Sequence, residues 1–254
     1  MKVWVIRRQT LLLAAAVTAA AAVAVLGAAA ARRAVPAAAS ARKIPIYSVE
    51  TDEKKISISF DAAWGNEDTA QLIAELAQYN VKATFFVVGQ WVDKYPESVK
   101  ALSDAGHEVM NHSDTHPHMP QLSAAQMRSE IESCNRKIAS VTGKMPMLLR
   151  PPYGDYNNTL VETLQSMGMY CIQWDVDSLD WKDLSAPEIT QRVTSRVRNG
   201  SIVLFHNAAK HTPEALPGIL DELINRQGYT IVPISQLIHP EVYLGDHEGR
   251  QHAQ

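Results

Sequence analysis

The sequence predicts an α/β fold, most simply a single domain built as a distorted (β/α)7-type barrel behind an N-terminal hydrophobic helix. Two observations carry the barrel. Strand-like and helix-like segments alternate about seven times with no long interruption, the pattern of a parallel sheet with crossover helices. Asp61, His112, Arg150, Asp177 and His206 each follow the carboxyl end of a strand-like segment by one to a few residues, and in a barrel those ends share one mouth. An open doubly wound sheet is the alternative. No glycine-rich loop follows the first strand, which argues against nucleotide binding.

The elements follow from local pattern. Residues 55–60 alternate polar and apolar, as a strand does, and run into Asp61. Asn66 reads as an N-cap, with Glu67 and Asp68 in the first turn and Leu72, Ile73 and Leu76 on the apolar face. Residues 83–88 form a short apolar strand. Pro96 opens a helix that Gly106 stops. The run 108–110 leads to His112. Ser123 with Gln126 gives a capping box, and Met127, Ile131, Cys134, Ile138 and Val141 recur at helical steps until Gly143. A helix over about 159–167 is closed by Gly168, and the strand 169–174 leads to Asp177. A helix over about 186–198, a strand 200–205 ending at His206, a helix over 213–226 and a strand 229–232 complete the pattern. Cys134 reads as a helix core residue and Cys171 as a strand residue, with no disulfide implied.

The first residues are of another kind. Lys2, Arg7 and Arg8 precede a charge-free, alanine-rich run over 9–31, closed by Arg32 and Arg33. Residues 1–33 therefore read as a signal anchor or transmembrane segment. A cleaved export signal, with Ala37, Ala38 and Ala39 near the cut, is the alternative, and Arg7-Arg8 faintly suggests a twin-arginine signal. Either places the rest outside the cytoplasm, as a single-pass protein of the cell membrane or as a secreted one. Residues 34–53 read as a linker, 54–238 as the domain and 239–254 as a loose polar tail. Seven of the 24 basic residues and none of the 27 acidic ones lie in residues 1–43. The remainder is thus strongly acidic, a poor match for a nucleic-acid backbone.

The strand-end residues suggest hydrolysis. His112 and His116 are four apart, a spacing at which two imidazoles can reach one ion, Zn²⁺ or similar. A lone pair of this kind is more often two loop histidines. Asp61 suits a general base, or simply a cap for the next helix. Arg150, stiffened by Pro151 and Pro152, suits holding a carboxylate in place, or a surface ion pair. His206 suits a general acid, with Asp177 to orient it, or a satisfied core histidine. Trp181 suits the wall of an apolar slot, or ordinary packing.

Five segments in order, Ser59-Phe60-Asp61, His112-Ser113-Asp114-Thr115-His116, Arg150-Pro151-Pro152-Tyr153-Gly154, Asp177-Ser178-Leu179-Asp180-Trp181 and Leu204-Phe205-His206, resemble the polysaccharide deacetylases of the NodB-homology type, carbohydrate esterase family 4. The resemblance covers about residues 54–238. Any one motif is weak, but the ordered set is specific. The anchor and Phe60-Asp61-Ala62-Ala63-Trp64-Gly65 look most similar to the membrane-anchored branch near the sporulation deacetylases.

The resemblance implies metal-assisted removal of N-acetyl groups from a peptidoglycan-type or chitin-like glycan, releasing acetate. Asp61 matches the base, His112 and His116 the metal ligands, and Arg150 the residue orienting the base. Asp177 matches the partner of the acid and His206 the acid itself. The Tyr153 backbone N–H matches an oxyanion donor, and Leu204 and Trp181 match walls of the acetyl pocket. One departure stands out. The family's usual second aspartate, a metal ligand, is here Ala62. Asn66, Glu67 and Asp68 are the nearby substitutes. The departure supports a second expectation, a catalytically impaired, glycan-binding pseudoenzyme.

Overall fold

A computed structural model describes Met1 and residues 41–240 and 242–253. The expected membrane segment and the first part of the linker lie outside the described residues. Among the described residues no helix is long and apolar enough to cross a membrane. The chain divides into two compact units, Met1–Ala41 and Arg42–Gln254, and the second is described below.

Its strands are β1 (Ser48–Val49), β2 (Lys55–Ala62), β3 (Thr84–Val87), β4 (Glu108–Asn111), β5 (Leu148–Leu149), β6 (Tyr170–Cys171), β7 (Val176–Asp177), β8 (Ile202–His206), β9 (Thr230–Ile231) and β10 (Arg250–Gln251). The main sheet is parallel in the order β6-β5-β4-β3-β2-β8-β7, and β9 pairs with the start of β2. The helices are α1 (Thr69–Gln78), α2 (Gly89–Lys94), α3 (Pro96–Asp104), α4 (Ala124–Thr142), α5 (Asn158–Ser166), α6 (Ala186–Thr194), α7 (Thr212–Leu220) and α8 (Ile234–Leu237). This is the curled seven-stranded parallel sheet of a distorted (β/α)7 barrel.

β2 organises the domain. Side chains alternate across a strand. Ile56, Ile58 and Phe60 enter the main apolar cluster, where Phe60 stacks on Phe85 at 4.8 Å and on Phe205 at 5.5 Å. Ser57, Ser59 and Asp61 form the other row. Both serines are fully buried and donate to backbone carbonyls, Ser57 Oγ to Val232 O and Ser59 Oγ to Val203 O, each at 2.7 Å. These bonds remove the cost of burying the hydroxyls. The row therefore carries polar chemistry inside the sheet and ends at Asp61.

Caps set the helices. The Ser123–Gln126 capping box of α4 is present, and Gly143 closes that helix at φ +71°, a conformation glycine adopts without steric cost. The start of α1 differs from expectation. The helix begins at Thr69 with Asp68 at its N-cap and no side-chain cap bond, while the Asn66 side chain instead donates to Ser98 Oγ at 3.0 Å. α7 passes into a π-helical turn over Asp221–Arg226 just beyond Pro217, which supplies no N–H to the ladder. Cys134 and Cys171 are free and buried, on α4 and β6.

The ends of the domain correct two expectations. Residues 46–49 are not linker. Ile46 and Val49 are fully buried, and Val49 N donates to Gly200 O at 2.9 Å. The tail is not loose. β10 pairs with β1, and the fully buried Gln251 donates from Nε2 to the carbonyls of His239 and Val242 and accepts from His239 N. One amide thus satisfies three backbone groups, which fastens the tail.

Candidate active site

Asp61 is the penultimate residue of β2, Asp177 ends β7 and His206 ends β8, while His112 and Arg150 directly follow β4 and β5. All five stand at strand carboxyl ends. Eight of the nine expected site residues, Asp61, His112, His116, Tyr153, Asp177, Trp181, Leu204 and His206, line one cleft of about 460 Å³ with Ala63, Trp64, Gly154 and Trp174. The ninth, Arg150, lies behind Asp61.

Arg150 is fully buried. Its Nη1 donates to Asp61 Oδ1 at 2.8 Å, and Nη2 donates to Ser59 Oγ at 2.8 Å and Gln173 O at 3.2 Å. The guanidinium lies 4.3 Å from the Phe86 ring centroid, a favourable cation–π approach. The polar row of β2 thus supplies two of its partners, Ser59 and Asp61. Burial alone would raise the Asp61 pKa, but Arg150, then His112 and His206, outweigh it, and the carboxyl sits below its ordinary value. Its Oδ2 remains on the cleft side, 3.6 Å from His112 Nε2.

His112 Nδ1 is 2.7 Å from the Arg150 carbonyl oxygen. A carbonyl only accepts, so the proton sits on Nδ1 and Nε2 presents its lone pair. Burial, helped by Arg150 and His206, lowers the His112 pKa. Burial, helped by His112, lowers that of His116 to about 4. Both rings are neutral near pH 7, with centroids 5.0 Å apart. Their loop is clamped from α4. Glu130 Oε2 accepts from Asp114 N and Thr115 N, and Oε1 from Thr115 Oγ1, each at 2.9 Å. Ser113 and His116 both adopt positive φ, +67° and +61°, a cost the clamp offsets.

The opposite wall corrects one expectation. Asp180, not Asp177, holds His206: Asp180 Oδ1 is 2.8 Å from His206 Nδ1, and Oδ2 accepts from His206 N at 2.8 Å and Thr212 Oγ1 at 2.7 Å. Asp177 faces the cleft, and its Oδ1 accepts from Leu179 N at 2.8 Å, which turns the chain so that Asp180 reaches inward. Burial opposes a charged His206 ring, but the bond to Asp180 and the charges of Asp180, Asp61 and Asp177 outweigh it, so its pKa is raised. With Nδ1 bonded to Asp180, Nε2 is the nitrogen left for chemistry.

The donor set falls short of a complete metal centre. A catalytic zinc site takes three protein ligands. Two neutral imidazoles are present, and Ala62 is buried in the core cluster rather than in the cleft. Asn66, Glu67 and Asp68 do not line the cleft. Glu67 accepts from Asn66 N and Asp68 from Ala208 N. Among the described residues no group of three His, Cys, Asp or Glu side chains is placed to hold an ion.

Sequence reasoning missed Asp180, Glu130 and Asn207. Asn207 Oδ1 accepts from Ala63 N, and its Nδ2 donates to the carbonyls of Trp64 and Gly65. The signal for Asp180 was its place three residues beyond Asp177 and next to Trp181. Glu130 and Asn207 carry none.

Residues 48–172 match the family model described as "Polysaccharide deacetylase". The chain is 34% identical to the peptidoglycan-N-acetylglucosamine deacetylase PgdA of Listeria monocytogenes, over 81% of this chain and 43% of that protein. It is 32% identical to the peptidoglycan-N-acetylmuramic acid deacetylase PdaA of Bacillus subtilis, over 76% of this chain and 74% of that protein. In structure it is similar to wild-type BA3943 of Bacillus anthracis, a CE4 family pseudoenzyme. The TM-score is 0.75 at 33% identity, over 84% of this chain and 74% of that one. A mutant of BA3943 has restored enzymatic activity. The chain spans less than half the length of the Listeria protein.

Proposed function

Because this chain belongs to the polysaccharide deacetylase family, carbohydrate esterase family 4, we propose that it hydrolyses N-acetyl groups on a peptidoglycan-type cell-wall glycan. The observation that carries this reading is the pair of proton carriers facing one cleft, Asp61 charged against Arg150 and His206 held by Asp180.

The chemistry assigned to these residues is acyl transfer to water. Asp61 Oδ2 takes a proton from a water as its oxygen adds to the acetyl carbonyl carbon. The backbone N–H of Tyr153 faces the oxyanion that forms. His206 donates its Nε2 proton to the amide nitrogen as the C–N bond breaks, leaving acetate and a free amine. Asp177 and Asp180 favour the protonated ring before that step. Leu204 and Trp181 wall the acetyl methyl. No step runs through a metal, since the ligands present do not complete a site for one. Among the described residues, His112 and His116 are the only matched ligands in the cleft.

The apolar run 9–31, flanked by basic residues within residues 1–33, supports an extracytoplasmic domain tethered to the membrane, or secreted if that segment is cleaved. The Phe60–Gly65 motif supports the sporulation-type branch. The test is acetate release by the full chain from N-acetylated peptidoglycan and chitin oligomers, across a series of divalent metals. Release with at least one metal supports the reading, and none with any metal sinks it.

Ala62 favours a second reading, that of a glycan-binding protein without turnover. The likeness to BA3943 supports it. It expects glycan binding that survives Asp61→Asn and His206→Ala, with no acetate from any form.

A further inference from the structure

Trp64 has no role in the chemistry above, yet it is the most exposed aromatic side chain around the cleft. Its relative exposure is 62%, against 58% for Trp181 and 57% for Tyr153. Single exposed aromatics are common on protein surfaces and need no explanation. Here the distribution is selective. Among the described residues the exposed large apolar side chains are Met1, Met145, Met147 and these three aromatics, and all three aromatics line the same cleft.

The backbone beneath Trp64 is fixed. Asn207 Nδ2 donates to Trp64 O at 2.6 Å and to Gly65 O at 2.9 Å, and Trp91 Nε1 donates to Gly65 O at 2.5 Å. Gly65 sits at φ +53°, and a Cβ there would meet Ala208 Cβ at 3.1 Å. The indole is set edge-on against His116 at 5.3 Å, and Tyr153 meets the same His116 ring at 4.6 Å. A rigid loop that holds an indole in water beside a reactive cleft loses apolar burial unless a ligand covers the ring.

We propose that Trp64 is the floor of a second sugar position, where it stacks on the apolar face of a pyranose ring adjoining the acetylated one. The proposal rests on the reading that the cleft takes a glycan. It makes the substrate an oligosaccharide rather than a single sugar.

Calorimetric titration of the full chain with N-acetylglucosamine and with its tetramer tests this, using wild type, Trp64→Ala and Trp64→Phe of equal melting temperature. Trp64→Ala is expected to weaken tetramer binding about tenfold while leaving the monomer unchanged. Trp64→Phe is expected to recover most of the loss. Unchanged tetramer affinity in Trp64→Ala overturns the proposal, as does an equal loss for monomer and tetramer, which would put Trp64 at the acetyl position. A wild type that binds neither sugar overturns the glycan reading with it.

Discussion

Arg150 Nη1 lies 2.8 Å from Asp61 Oδ1, and the guanidinium making that bond is wholly buried. Two opposite charges are thus held out of water, each compensating the other. Removing one partner leaves the other unpaired. Arg150→Met is expected to lower stability by about 3–5 kcal/mol, read by denaturant unfolding. It is also expected to raise the Asp61 pKa, so any residual activity loses its acidic limb at higher pH. An Arg150→Met protein as stable as wild type would show that the pair contributes nothing net.

Proton linkage follows from the same site, with opposite signs on its two walls. Asp61 lies below its ordinary 3.8, so its contribution to stability is present above that value and is lost as pH falls through the folded pKa. His206 lies above its ordinary 6.5, so its contribution is present below 6.5 and is lost as pH rises through the folded pKa. His116, near 4 when folded, disfavours the folded state increasingly as pH drops from 6.5 toward 4. Imidazole NMR titration checks both histidines. Asp180→Asn is expected to lower the His206 pKa and shift the alkaline limb of activity to lower pH. Asp177→Asn is expected to shift it less.

The clamp on the histidine loop is open to a separate test. Glu130→Ala removes three acceptor contacts to residues 114 and 115. The expected cost is about 1–3 kcal/mol, with faster amide exchange confined to residues 113–116. Exchange that is unchanged there would mean the loop holds its positive-φ residues unaided.

Much of this was legible from the chain, and the failures have physical causes. Strand ends are readable because a parallel strand is a short apolar run with a polar stop, so Asp61, His112, Arg150 and His206 stood out. The choice between Asp177 and Asp180 was not. It depends on Leu179 at φ +55° turning the chain, and no local propensity announces that for a leucine. The docked tail was hidden because its anchor is one buried glutamine paired with distant carbonyls. Asn66 looked like a cap, but the helix starts three residues later.

Ala62 supplies a prediction about metal. It is 1% exposed and packs in the core at the last residue of β2. Ala62→Asp buries a carboxylate there, and without metal the expected cost is about 1–3 kcal/mol. Zn²⁺ is expected to raise the melting temperature of Ala62→Asp more than that of wild type, because a carboxylate at the strand end leaves the apolar core by turning toward His112 and His116, and binding favours the folded state. An equal response of both proteins to Zn²⁺ would show that position 62 does not reach the ion.

The proposed roles of Asp61 and His206, base and acid on an N-acetyl glycan, stand or fall together. Acetate release from N-acetylated peptidoglycan by the full chain, beside Asp61→Asn and His206→Ala, tests them most directly. Release by wild type and a loss of at least about a hundredfold in each variant are expected. Equal release by all three, or none by wild type with any divalent metal, would contradict them.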